Sequence, residues 1–204
     1  MFDDHYETLI VAARPAADEA AAFDAHVLAC VLAAALAEIA DGGSATDATG
    51  LSPAALSGLL AERFPAAPPA AFRLETAAEP VVEMEEELLR DLLAAHAGPT
   101  PAAALLAAVV ARRALRDDHL WQDLGLADRS ELNRLLARHF PALHAGNTAN
   151  MRWKKYFYRR LCEAEGFTLC TAPSCTACTD FDACFGAEDG ESRFARLQRE
   201  RAAA

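Results

Sequence analysis

Residues Ala17 to Ala40 read ADEAAAFDAHVLACVLAAALAEIA and run on to Gly42-Gly43. Alanine is the best helix former and packs helices closely, whereas glycine loses the most backbone freedom on ordering and stops a helix. The stretch is therefore read as one long helix. Its centre is the apolar run Val27 to Ile39, with Cys30 inside it as a small core residue. No segment of the chain shows the period-two alternation of a half-buried strand. The expected fold class is all-α, a helical bundle.

Further helices follow outward from it. Gly42 to Gly50 reads as a loop. Ser52-Pro53 opens a helix, with an N-cap hydroxyl and proline at the first helical position, that ends near Arg63-Phe64-Pro65. The proline-rich stretch Pro65 to Pro69 is a connector. Glu79-Pro80 opens the next helix, whose positive end carries Glu83, Glu85, Glu86 and Glu87 and whose core side is Leu88, Leu89, Leu92 and Leu93. Pro101 to Leu115 and Ser130 to His139 are further helices. Asn147 is expected to open a helix from about Thr148 to Glu165, with Gly166 as its C-terminal cap.

One internal echo is legible. Gly50-Leu51, Leu59-Leu60 and Phe64-Pro65-Ala66 match Gly125-Leu126, Leu135-Leu136 and Phe140-Pro141-Ala142, with one extra residue in the second copy. Duplication of a helical pair and chance recurrence of leucine-rich helices both produce such a pattern.

The bulk numbers agree with a helical protein. In 204 residues, 53% are hydrophobic and only 7% aromatic, and the length suits one good-sized core, or one core plus a small appended module. The net charge of −11 divides unevenly, about −13 over residues 1–100 and +2 over residues 101–204. An acidic front half argues against general nucleic-acid affinity, which draws on cationic surface. The start Met1-Phe-Asp-Asp has no basic segment before an apolar one, so no signal peptide is expected. The longest uncharged run, Leu92 to Ala111, is broken by Gly98-Pro99-Thr100-Pro101 and reads as core helix rather than membrane span. The expected setting is cytoplasmic, with no membrane partner.

The chemistry lies near the C-terminus. Cys170, Cys175, Cys178 and Cys184 form a C-x4-C-x2-C-x5-C array. Clustered cysteines in a cytosolic chain are better read as metal ligands than as disulfides. Structural zinc usually takes two knuckles separated by a spacer, and here there is none. An iron–sulfur cluster is wider than one ion and tolerates a tight wrap, so spacing places a cluster ahead of zinc. The chain divides into a helical domain (1–166), a cysteine loop (167–186) and a polar tail (187–204). Cys162, eight residues before the array, reads as a buried structural thiol.

The segment before the array, Met151-Arg-Trp-Lys-Lys-Tyr-Phe-Tyr-Arg-Arg160, is basic and aromatic. On a helix Trp153, Phe157, Leu161 and Ala164 share one face, and Arg152, Lys155 and Arg159 share another. An aromatic core stripe with a solvated back explains this. A cationic helix would also stabilise an anionic thiolate cluster, dock an acidic partner or attract an oxyanion. The six histidines are scattered, and each alone reads as a surface or satisfied core residue. No H-E-x-x-H, phosphate-cradling glycine loop or G-x-S-x-G is present, and no enzyme is expected.

Taken together, His119-Leu-Trp-Gln-Asp-Leu-Gly-Leu126, Phe140-Pro141, Met151-Arg-Trp-Lys-Lys155 and the array with Phe185-Gly186 resemble the NifQ family of nitrogen-fixation proteins. The resemblance is densest from His119 to Gly186. It implies a molybdenum carrier that holds a molybdenum–iron–sulfur cluster and delivers molybdenum for the nitrogenase iron–molybdenum cofactor. The implied partners are a molybdenum source, the cofactor-assembly scaffold and the nitrogenase iron protein. Cys170, Cys175, Cys178 and Cys184 would be the cluster ligands, with His119 as an additional metal donor and Arg152, Lys155 and Arg159 serving docking or electrostatics. Two rivals stand beside it: an iron–sulfur DNA glycosylase, which would explain the basic aromatic helix, and a structural zinc module.

Overall fold

A computed structural model describes residues 2–164 of the chain. Among them ten α-helices and one 3₁₀ turn (Pro69–Phe72) follow one another: α1 (Phe2–Ala12), α2 (Glu19–Ala40), α3 (Ala45–Thr49), α4 (Pro53–Arg63), α5 (Met84–Ala95), α6 (Ala103–Ala114), α7 (Leu120–Asp123), α8 (Arg129–His139), α9 (Pro141–Gly146) and α10 (Trp153–Ala164). No described residue lies in a strand. The all-α expectation holds for this part. The cysteine loop, the Gly166 cap and the polar tail lie outside the described residues.

Helix α2 is the axis of the core. Asp18 caps its start, Oδ1 accepting the Ala21 N–H at 2.7 Å. Its centre is apolar on all sides, with Val27, Ala29, Cys30, Leu32, Ala33, Ala34 and Ala35 sealed from solvent. Alone among the described helices it is long and apolar enough to cross a bilayer, yet most of its apolar window is buried within the chain. The small alanines let neighbouring backbones approach to native packing density. Helix α1, which the sequence reading left unassigned, lies along α2 and contributes Phe2, Leu9 and Ala12 to the core.

Three boundaries and one burial differ from expectation. The stretch Gly42–Gly50 contains α3, because the Ser44 hydroxyl accepts the Asp47 N–H at 3.1 Å and Thr49 Oγ1 donates to the Ala45 carbonyl at 2.7 Å. Helix α5 begins at Met84 rather than at Pro80. The Arg112 guanidinium donates to the Val81 carbonyl at 2.7 Å and holds that segment off the helix. Asn147 closes α9 instead of opening the last helix, which begins at Trp153. Cys162 is half-buried rather than buried.

The internal echo extends into three dimensions. Gly50 and Gly125 both take left-handed backbone, φ 70° and 75°, where a side chain is strained. Each is followed by a buried leucine (Leu51, Leu126), a capped helix of 11 residues and a phenylalanine with matching angles, Phe64 at φ −130°, ψ 57° and Phe140 at φ −135°, ψ 57°. In each copy the last helical carbonyl accepts a distant backbone N–H just beyond the unit's first helix. Arg14 donates to Arg63 at 2.9 Å, and Gly98 donates to His139 at 2.7 Å. The correspondence thus pairs α1–α4 with α5–α8, well beyond the span of the sequence echo. Matched geometry at the turn, the exit and the long-range bond favours duplication over chance recurrence. Helix α10 stands outside both copies and packs on α5.

Candidate functional site

The approach to the cysteine array is built by α10 and the residues that aim it. The chain enters through a clamp at Met151. Asn147 Nδ2 donates to the Met151 carbonyl at 2.9 Å, and its Oδ1 accepts the Met151 N–H at 2.8 Å. Arg129 donates to the same carbonyl at 2.8 Å. A short polar side chain has replaced a helical turn here, which is why α10 starts later than the sequence suggests.

Aromatic residues then seat the helix. Trp153 is buried, donates Nε1–H to Asn133 Oδ1 at 2.7 Å and stacks on His144 with centroids 5.7 Å apart. Tyr156 and Phe157 are buried beside it, and Leu161 packs against the core at its edge. The expected aromatic stripe is therefore core, apart from the exposed Ala164. Tyr158 donates to Glu85 on α5, and burial, reinforced by that carboxylate, pushes its phenol pKa up.

The two family-like segments meet across an ion pair. Lys154 on α10 reaches Asp123 Oδ2 at 2.6 Å and also the Arg116 carbonyl. Asp123 closes α7, within His119-Leu-Trp-Gln-Asp-Leu-Gly-Leu126. Burial raises its carboxyl pKa, with Lys154 pulling the other way. His119 itself stands at the N-cap of α7, half-buried, its backbone N–H given to Gln122 Oε1 at 3.2 Å. Cys170, Cys175, Cys178 and Cys184 lie outside the described residues. Among the described residues, no group of three or more metal-binding side chains converges. Cys30, as expected, is a sealed core thiol whose pKa is pushed up by burial.

The basic side chains of this segment are spread rather than gathered. Arg152 precedes the helix, and its carbonyl accepts the first helical bond, from Tyr156. Lys155 is exposed on the rim of a hollow of about 460 Å³ that it shares with Arg116, Lys154, Tyr158, Glu83 and Glu85. Arg159 borders a different cavity of about 280 Å³, with His96, Asn147, Thr148, Arg160 and Glu163. The sequence reading took His96 as a surface or satisfied core histidine, gave Arg160 no role beyond the basic segment and did not single out Glu163. Only the i, i+3 spacing of Arg160 and Glu163 was there to be read, and His96 arrives from a helix far away in the chain.

The comparisons come from sequence. The family description NifQ matches residues 27–186. A NifQ homolog of Sinorhizobium fredii (strain NBRC 101917 / NGR234) is 55% identical over 188 residues, covering 91% of this chain and 82% of the relative. The NifQ protein of Rhodobacter capsulatus is 41% identical over 163 residues, covering 79% and 89%. That of Azotobacter vinelandii is 48% identical over 103 residues, about half of each chain. No solved structure matches. A match that runs from α2 through the whole cysteine array, with relatives aligned over most of their length, leaves one conclusion: the chain belongs to the NifQ family of nitrogen-fixation proteins.

Proposed function

We propose that this protein is a molybdenum carrier. It holds a molybdenum–iron–sulfur cluster as cargo on Cys170, Cys175, Cys178 and Cys184 and hands molybdenum to the machinery that builds the nitrogenase iron–molybdenum cofactor. Thiolate sulfur suits iron and reduced molybdenum. Of the readings open to the sequence, family membership favours the carrier over the DNA glycosylase and the zinc module. The observation that carries the proposal is the anchoring of α10. A cationic helix is locked to the core by Trp153 and by the Lys154–Asp123 pair, and its described span reaches Ala164, six residues before Cys170. A rigid base just ahead of the thiolates in the chain gives the cargo a fixed anchor, as a donor requires. His119 is retained as an additional metal donor. Lys155 and Arg159, with Arg152 at the helix entry, are retained as the surface that meets the scaffold or the nitrogenase iron protein. No catalytic step is assigned, and the setting is cytoplasmic.

The test is anaerobic purification followed by iron, molybdenum, acid-labile sulfide and zinc analysis of one sample. Iron and sulfide with molybdenum are expected, and Cys175→Ser or Cys178→Ser removes them. Retention of iron and molybdenum in those variants, or zinc alone that survives reconstitution with iron and sulfide, overturns the proposal.

A further inference from the structure

The cavity where α5 ends against α9 and α10 is built for a small anion. It is lined from α10 by Arg159, Arg160 and Glu163, and from other parts of the chain by His96, Asn147 and Thr148. Its volume of about 280 Å³ compares with roughly 30 Å³ per water in the liquid, so a hydrated four-oxygen anion fits. One anion already shows how the guanidinium groups are used. Glu163 spans them, Oε1 accepting from Arg159 Nε at 2.9 Å and Oε2 from Arg160 at 3.0 Å. Two acceptor oxygens held by two planar guanidiniums is the arrangement that also recognises the edge of a tetrahedral oxyanion. The Arg159 guanidinium is the main influence holding the Glu163 carboxyl below its usual range, so the spot favours negative charge.

His96 lines the same cavity with its donor nitrogen already used. Its Nδ1 lies 2.8 Å from the Leu92 carbonyl, which can only accept, so Nδ1 carries the proton. In the neutral ring Nε2 is then an acceptor, so the hold on an oxyanion falls to the two guanidiniums. The site also stands close to the array along the chain. Glu163 is seven residues from Cys170, at most about 25 Å of extended backbone.

We propose that this cavity binds molybdenum as a tetrahedral oxyanion, held by Arg159 and Arg160 in competition with Glu163. The inference rests on the carrier reading and names the form in which its cargo arrives. Glu163 acts as a resident competitor: the oxyanion displaces its carboxylate on binding, and the carboxylate returns on release.

Calorimetric titration of the full chain with molybdate tests this, with sulfate and phosphate as parallel arms and circular dichroism to check folding of each variant. Saturable molybdate binding is expected, tighter than sulfate or phosphate. Arg160→Gln should weaken it by about tenfold, the loss of one charge-assisted hydrogen bond, while Glu163→Gln should tighten it. Absence of saturable binding, equal affinity for sulfate, or indifference to both substitutions overturns the assignment. A chain with all four array cysteines changed to serine should still bind molybdate, and loss of binding there would place the anion on the array instead. Iron and sulfide loading of Arg160→Gln separates the two proposals. A variant that builds the cluster normally leaves the carrier reading intact whatever the molybdate result.

Discussion

The Lys154 ammonium sits 2.6 Å from the Asp123 carboxylate, joining α10 to α7 at a point where the two side chains are only 18% and 8% exposed. This contact ties together segments that are 31 residues apart in the chain. It sets the direction from which α10 leaves the core.

Removing the lysine should cost more than removing the acid's charge. Lys154→Met strands a buried carboxylate and is expected to destabilise by about 2–4 kcal/mol, whereas Asp123→Asn leaves a neutral acceptor and should cost less. Burial already raises the Asp123 pKa, and losing Lys154 raises it further. A folded carboxyl with a raised pKa binds its proton more tightly than the unfolded chain does, so stability falls as pH rises through that pKa. The Lys154→Met deficit should thus shrink toward acid pH. Urea unfolding at several pH values measures it, and a deficit that grows toward acid would refute the pairing.

A second network sets the acid limit of the fold. Asp24 accepts from Arg138 through both oxygens, at 2.6 and 2.8 Å, and from His139 Nε2 at 3.1 Å. Because the carboxylate only accepts, His139 carries its proton on Nε2, and Nδ1 accepts from the Thr100 hydroxyl at 2.7 Å. Burial, the largest influence on each group, raises Asp24 and lowers His139. The Arg138 and His139 contacts outweigh it for Asp24, so both net shifts are downward. For His139 the unfolded chain binds more protons, so stability begins to fall below the ordinary histidine pKa of about 6.5. For Asp24 a further loss sets in below about 4 and continues through the depressed folded pKa. Asp24→Asn should remove the second phase and leave the protein less stable at neutral pH. Thermal melts from pH 8 to 3 would show both phases, and an unchanged acid limb in Asp24→Asn counts against the network.

The two left-handed glycines should be intolerant for the same reason. A Cβ at Gly125 would lie 2.9 Å from the Cys30 carbonyl and from the Phe2 ring, and one at Gly50 would meet Arg90 at 2.7 Å and Arg112 Cβ at 2.9 Å. Backbone strain of about 1–3 kcal/mol is joined by that overlap, so Gly50→Ala and Gly125→Ala should each lower the unfolding midpoint clearly. Gly58→Ala, with open space around it and an ordinary helical backbone, should be neutral or slightly stabilising, and it serves as the control.

Stripping metal should leave the helical core standing. Among the described residues the buried apolar cluster runs from Phe2 to Phe157 through all ten helices. Small metallo-domains unfold on chelation because the metal supplies their folding energy, but a core of this extent does not need it. Anaerobic chelation is expected to abolish the cluster's visible absorption while far-UV dichroism and the cooperative melt persist. Loss of both signals together would show that cargo and fold are coupled.

How much was legible follows from which forces are local. The all-α class, the long helix at Ala17 to Ala40, the helix opened by Ser52-Pro53 and the thiolate array are written in propensity, capping and spacing, which act within a few residues. The aromatic stripe of α10 was legible for the same reason, since its period is a property of one helix. Boundaries failed where a distant group intervened: Arg112 holding Val81, Asn147 clamping Met151. The echo of Gly50 in Gly125 was visible as letters, but only matched angles and the paired long-range bonds to Arg63 and His139 gave it weight. Tertiary structure alone decided that Lys154 meets Asp123 and that Lys155 and Arg159 look into different hollows. It also brought His96 from the end of α5 to line the same cavity as Arg160. Those contacts join residues tens of positions apart, and the packing of apolar faces that brings them together is non-directional; which polar partners then coincide is settled only when the helices are in place.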